Sequence, residues 1–255
     1  SAGSGYFTKK EFIEILEFAK QRHIEVIPEI DIPGHARAAI KAMEARYHKY
    51  EKQGNAAEAN KYLLNDFDDK SKYNSVQNFN DNVVCVCKPS TFVFFEKVVD
   101  ELLSMYKESG AKLTTVHVGV DEVPHGVWEN SPICKELLAA NKNLKNVHDL
   151  KEYFQDGIAK ILSDRKLSLA GWEEIGLHLE KVDGQDQENK TVNKKYVNKN
   201  FSPYVWNNVY GWGGEEIGYK LANAGYPIVL CNVTSLYLDM AWDKDPNEPG
   251  LYWGG

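Results

Sequence analysis

The chain has 255 residues, 30 Lys plus Arg against 37 Asp plus Glu for a formal charge of -7, 43% hydrophobic and 26% charged residues. That balance excludes a disordered or collagen-like chain, and the mild acidity offers no electrostatic footing for nucleic acid or an anionic membrane as partner. No apolar run approaches the roughly 18 residues of a membrane span, and the length suits one large domain, such as an α/β barrel of about 250 residues, or two smaller ones.

Residues 1–5 read SAGSG, with neither the basic nor the apolar region of a leader. Thr8 and Glu11 have capping-box spacing and open a helix over 8–22, with Phe12, Ile15, Leu16 and Ala19 at helical intervals. The run 24–30 (IEVIPEI) predicts a buried strand that ends at Pro33-Gly34. A helix follows over 35–53. Residues 54–89 are polar and rich in Asn and Asp, a long excursion loop of a length more often functional than connecting. Further along, a helix is expected over 91–109, a strand over 113–120 and helices near 131–141 and 147–165. A strand at 167–171 precedes a polar and mobile insert at 181–200. A strand at 204–210, a helix at 215–224 and a strand at 227–231 complete the pattern. Strands alternating with helices mean a parallel α/β sheet.

The four cysteines are Cys85, Cys87, Cys134 and Cys231. Cys85 and Cys87 form a C-x-C pair with no second pair beside it, which argues against a zinc site. Two readings stay open for the rest: a Cys87–Cys134 bridge in an exported protein, or buried free thiols.

In parallel α/β sheets, ligands bind at the carboxyl ends of the strands. Residues that follow the apolar runs are therefore the candidates. They are Asp31 and His35; Asp121 and Glu122; Trp172, Glu173 and Glu174; Trp206 and Trp212; Tyr237 and Asp239. Adjacent carboxylates repel, so one of Asp121 and Glu122 is expected to stay protonated. That suits a general acid beside an ionised helper. Alone, such a pair more often marks a solvated helix N-terminus; the His117-Val-Gly119 strand before it favours chemistry. A single Trp is usually core, but Trp172, Trp206, Trp212, Trp242 and Trp253 together suggest a walled pocket.

These motifs resemble glycoside hydrolase family 20, the β-N-acetylhexosaminidases, and among them the bacterial chitobiase type. The resemblance rests on Val26-Ile-Pro-Glu-Ile-Asp-Ile-Pro-Gly-His35, His117-Val-Gly-Val-Asp-Glu122, Gly171-Trp-Glu-Glu174, Leu236-Tyr-Leu-Asp239 and Glu248-Pro-Gly-Leu-Tyr-Trp-Gly254. It implies a (β/α)8 TIM-barrel fold and removal of terminal β-linked N-acetylglucosamine or N-acetylgalactosamine by substrate-assisted retention, an exception to the two-carboxylate scheme. Glu122 would be the general acid and then base, Asp121 would hold the acetamido N–H, and Tyr237 would donate to the acetamido oxygen that acts as nucleophile. Asp239 would bind sugar hydroxyls. Trp172 and Trp206 would wall the acetamido group, with Trp212 as a substitute for Trp206, and Trp253 would stack on the next sugar. His35 would belong to the network around the acid. The resemblance also implies a Cys87–Cys134 disulfide, an extracellular, periplasmic or outer-membrane setting, and no metal or cofactor.

About five of the eight barrel strands are predicted. The family's early Arg, the early Asp that partners the His35 position and the late Trp and Glu of the sugar pocket have no counterpart. Residues 1–255 are thus expected to be a single catalytic barrel domain truncated at both ends, with exposed sheet edges through which it could dimerise. Two other classes compete: a non-catalytic carbohydrate-binding or assembly module, and a metal-dependent hydrolase using His117, Asp121, Glu122 and His125.

Overall fold

The computed structural model describes residues 5–181, 188–241, 247 and 249–254. Trp242 and Glu248, named above, lie outside them. The chain divides into two compact units: Ser1–His117 with Glu122–Leu167, and Val118–Asp121 with Ser168–Gly255. No helix among the described residues is long and apolar enough to cross a membrane.

The first unit is mostly helical. It holds α1 (Lys9–Lys20), β1 (Glu29–Ile32), α2 (Arg37–Glu51), α3 (Ala56–Asn60), α4 (Pro89–Ser109), the start of β2 (Thr115–Gly119), α5 (Pro132–Ala140) and α6 (Asp149–Asp164). Thr8 and Glu11 close the capping box of α1. α4 starts with Pro at its first position, where a missing N–H costs nothing, and ends at Gly110 in the left-handed region. Its Phe95 and Val99 are fully buried, as are Leu150, Phe154, Ile158 and Leu162 of α6. Burying each such side chain stabilises the fold by about 1.5–3 kcal/mol. Gly157 lets the two helices meet, because a Cβ there would run into the Phe92 ring. Arg165 closes the same pair, donating from Nε to Asp100 at 2.6 Å and from Nη2 to Glu96 at 2.9 Å.

The second unit contains the end of β2, then β3 (Ser168–Trp172), β4 (Leu177–Lys181), β5 (Glu188–Val192), β6 (Phe201–Val205), α7 (Ile217–Ala224), β7 (Val229–Leu230) and α8 (Val233–Leu236). β3 and β6 pair in parallel from Leu169↔Phe201 to Trp172↔Tyr204. β6 and β7 also pair in parallel, and β4 pairs with β5 antiparallel. The main sheet has the open order β1-β2-β3-β6-β7. Its five strands match the expected number, three short of the eight that close a TIM barrel.

Four expectations shift. The first strand begins at Glu29, five residues later than 24. Pro28 has no N–H to give a ladder; Ile24 and Ile27 are exposed, and pairing starts where Pro28 O accepts from the His117 N–H. The polar stretch 181–200 is not a featureless insert: Leu177–Lys181 and Glu188–Val192 form a hairpin arm, and a 3-10 turn follows at Lys194–Tyr196. Its residues 182–187 lie outside the described ones. The strand placed at 204–210 ends at Val205, since Phe201, Pro203 and Val205 face the core and Trp206 leads out. The excursion loop 54–89 contains a short helix, α3, capped by Asn55.

Candidate active site

Backbone geometry singles out the end of β2. Gly119, Val120 and Glu122 all have positive φ, at 65°, 75° and 48°. Gly tolerates this, but a β-branched Val and a Glu are held there at a cost of order 1–3 kcal/mol each. Strain of this kind persists only where the surroundings over-determine it. The sharp turn re-aims consecutive side chains, so Asp121 and Glu122 need not share a direction.

The surroundings of Glu122 belong to the first unit. His35, itself at φ 51°, puts Nε2 3.3 Å from Glu122 Oε2. Gln77 Nε2 donates to the same oxygen at 3.1 Å. Gln77 stands on a tight turn, with Asn78 at φ 62°, Ser75 N–H donating to Phe79 O at 2.8 Å and Phe79 N–H donating to Ser75 Oγ at 3.1 Å. The excursion loop is stitched to the segment bearing His35: the Ala36 N–H donates to Asn82 O, and the Val84 N–H donates to Pro33 O, each at 2.9 Å. Asp81 adds ion pairs to Arg37 at 2.7 Å and Lys41 at 3.0 Å. Partial burial works against its charge, but the two cations hold its carboxyl below the usual range. A Cys87–Cys134 disulfide, with Cα atoms 5.2 Å apart, ties this loop to α5. Elsewhere in the unit, His117 is buried and its Nδ1 faces Glu29 Oε1 at 3.0 Å.

The second unit supplies an aromatic cluster. Trp253 is the hub: its ring lies 6.2 Å from Trp206 and 6.0 Å from Tyr237, both edge-on, and 6.1 Å from Trp212 in a stacked pose. Edge-on and offset stacks suit the ring quadrupoles. The backbone builds the hub. The Leu251 N–H donates to Asp239 O at 2.9 Å and the Ala241 N–H to Leu251 O at 2.8 Å. Gly250, at φ 138°, is required, since a Cβ would sit 2.6 Å from Ala241 N. Asp239 lies on the same turn as Tyr237. Trp172 ends β3, partly buried. Trp206 Nε1 is buried and finds no acceptor among the described residues, leaving a donor for a bound polar group.

Glu173 was only one of the rim acids in the sequence; the structure gives it a place. It is fully buried, and its Oε2 accepts from the Trp206 N–H at 2.8 Å. Burial first, and then the neighbouring Glu174 charge, push its carboxyl up to about 8. It therefore fixes the backbone under Trp206 as a neutral group. Gln77 was missed as well. Its signal would have been the loop's length alone, because no spacing rule links residue 77 to residue 122.

A glycosyl hydrolase family 20 catalytic-domain model matches residues 1–255. This chain belongs to that family. A β-hexosaminidase of Vibrio vulnificus is 38% identical over 252 residues, covering 98% of this chain and 28% of the relative. An N,N'-diacetylchitobiase of Vibrio harveyi is 34% identical, covering 98% and 30%. The crystal structure of a family 20 exo-β-N-acetylglucosaminidase from Vibrio harveyi in complex with N-acetylglucosamine superposes with a TM-score of 0.76 at 30% identity, covering 99% of this chain and 32% of that one. The chain thus spans about a third of the length of these family 20 relatives. Their fold is that of a TIM barrel, and the five-stranded parallel sheet is an open portion of it.

Proposed function

We propose that this family 20 chain carries catalytic residues of an exo-acting β-N-acetylhexosaminidase that works by substrate-assisted retention. The observation that carries the reading is the setting of Glu122: at a strained strand end, next in the chain to Asp121, with His35 and Gln77 both on Oε2. Those contacts orient the carboxyl and leave the proton to Oε1. Glu122 protonates the glycosidic oxygen as the bond breaks, then takes a proton from the incoming water. Asp121 accepts from the acetamido N–H, which makes the amide oxygen a better nucleophile and stabilises the cyclic intermediate. Tyr237 donates to that oxygen. The rings of Trp206 and Trp253 offer apolar faces to the acetamido methyl and to a sugar, and Asp239 accepts from sugar hydroxyls.

The names of the relatives support a terminal N-acetylhexosamine as substrate, in chitin oligomers or glycans. The disulfide supports an exported location. The test compares the chain with Glu122→Gln on two β-N-acetylglucosaminides, one with a nitrophenolate and one with a sugar leaving group. Hydrolysis of the sugar substrate should vanish while N-acetylglucosamine binding survives. Unchanged hydrolysis refutes the role of Glu122, and a parent chain that binds without hydrolysing refutes the catalytic reading in favour of a binding module.

A further inference from the structure

Three of the four cysteines meet in one place in the first unit. Cys85, Cys87 and Cys134 are all buried, at 3%, 6% and 0% exposure. Their sulfurs lie within 4.8 Å of one another, and Cys85 Sγ stands 3.9 Å from Cys134 Sγ. Cys85 keeps its thiol while the other two are bonded. Three sulfurs arranged in a plane around a metal at ~2.3 Å are ~4 Å apart. The Cys85–Cys134 edge already has that length.

Cys85 also lines a cavity of about 140 Å³ whose other walls include Glu44, Asp66, Asp69 and Asp81. Carboxylates draw cations toward the one thiol that faces them. Asp66 continues inward: it accepts from Ser131 Oγ at 2.7 Å, and Ser131 Oγ accepts from the Cys134 N–H at 3.2 Å. The Lys88 N–H donates to Cys85 O at 3.3 Å, which puts a cationic residue next to the cluster. Three thiolates around a dication carry one net negative charge, opposite in sign to Lys88.

We propose that Cys85, Cys87 and Cys134 form a tri-thiolate site for a soft divalent d10 cation once the Cys87–Cys134 bond is reduced. The oxidised and metal-loaded forms exclude each other. A phosphine or dithiol reductant supplies two electrons and water or the dithiol two protons, giving two thiols from one disulfide. The cation then displaces three protons to solvent and gains three metal–sulfur bonds. Soft cations prefer such ligands. The C-x-C pair argued against a zinc site because no second pair stands beside it; its third partner in the fold is 47 residues beyond Cys87.

The experiment reduces the chain with a trialkylphosphine, removes the reductant without air and titrates cadmium(II), following thiolate-to-cadmium charge transfer in the ultraviolet and the thermal midpoint. One equivalent should bind and raise the midpoint, because a ligand of the native state stabilises it. Cys85→Ser should weaken binding at least tenfold, Cys231→Ser should leave it unchanged, and the oxidised chain should not show the band. Binding that ignores Cys85→Ser, or that lowers the midpoint as capture by an unfolded chain would, overturns the site. So does the absence of a band in the reduced chain.

Discussion

The surroundings of Glu122 and the cluster around Trp253 are built on opposite principles. Glu122 is held by His35, just after β1, and by Gln77 from a long loop, and that loop is itself clamped by ion pairs, backbone hydrogen bonds and a disulfide. Trp253 is held by backbone pairing at Leu251 and by ring contacts. The difference fits the roles proposed for them. A proton donor needs one orientation and one protonation state, which directed polar contacts impose. A sugar wall needs a flat face in roughly the right place, which packing supplies.

The sharpest break of that contrast is Glu122→Gln, expected to cost about 10²–10⁴-fold in kcat on a substrate with a sugar leaving group, with KM little changed; single-turnover kinetics reads it. Next, Cys87→Ser with Cys134→Ser removes the clamp on the loop. Opening a cross-link between positions 47 apart should cost about 4 kcal/mol of stability in the chain-entropy account, seen in urea unfolding, while the aromatic cluster keeps its near-ultraviolet signal.

Trp253→Ala tests the other side. Losing ring stacking worth about 0.5–1.5 kcal/mol should raise KM about 2- to 12-fold and spare kcat, the reverse of the Glu122 pattern. Gln77→Ala should lower kcat/KM a few-fold, in line with about 0.5–1.5 kcal/mol for one hydrogen bond, and should displace the pH–rate profile, which a merely structural loop residue would not. Glu173→Gln disturbs least, being a neutral near-isostere of a neutral group. The folded chain holds a proton on Glu173 up to about 8, against 4.5 for an ordinary glutamate. Its stabilising contribution is full below 4.5 and is lost as pH rises toward 8. The Gln variant should lack that decline when thermal midpoints are measured across the window.

The place of Asp121 and Glu122 at the end of β2 was legible in the sequence because they follow a buried apolar run. The longer helices of the first unit were legible through their apolar faces, and α1 also through the capping box of Thr8 and Glu11, backbone chemistry that does not depend on tertiary context. Gln77 was not, since its reach to Glu122 depends on Asn78 adopting positive φ and on Asp81 being clamped by Arg37 and Lys41. The hairpin of β4 and β5 was hidden for a different reason. Its strands pair with each other, so residues such as His178 and Thr191, which are partners on the ladder, do not need the apolar alternation by which strands are recognised. Pro28 moved the first strand because hydropathy does not register a missing donor.

That hairpin has a consequence for modularity. At its base Leu177 and Val192 are direct partners, and the Asn193 N–H returns to Gly176 O at 2.8 Å. Partners across an antiparallel ladder sit about 4.5–5.5 Å apart, a gap that a two-residue turn can close. The arm is therefore detachable in principle: lineages or engineers can lengthen, shorten or exchange it while β3 and β6 keep their register.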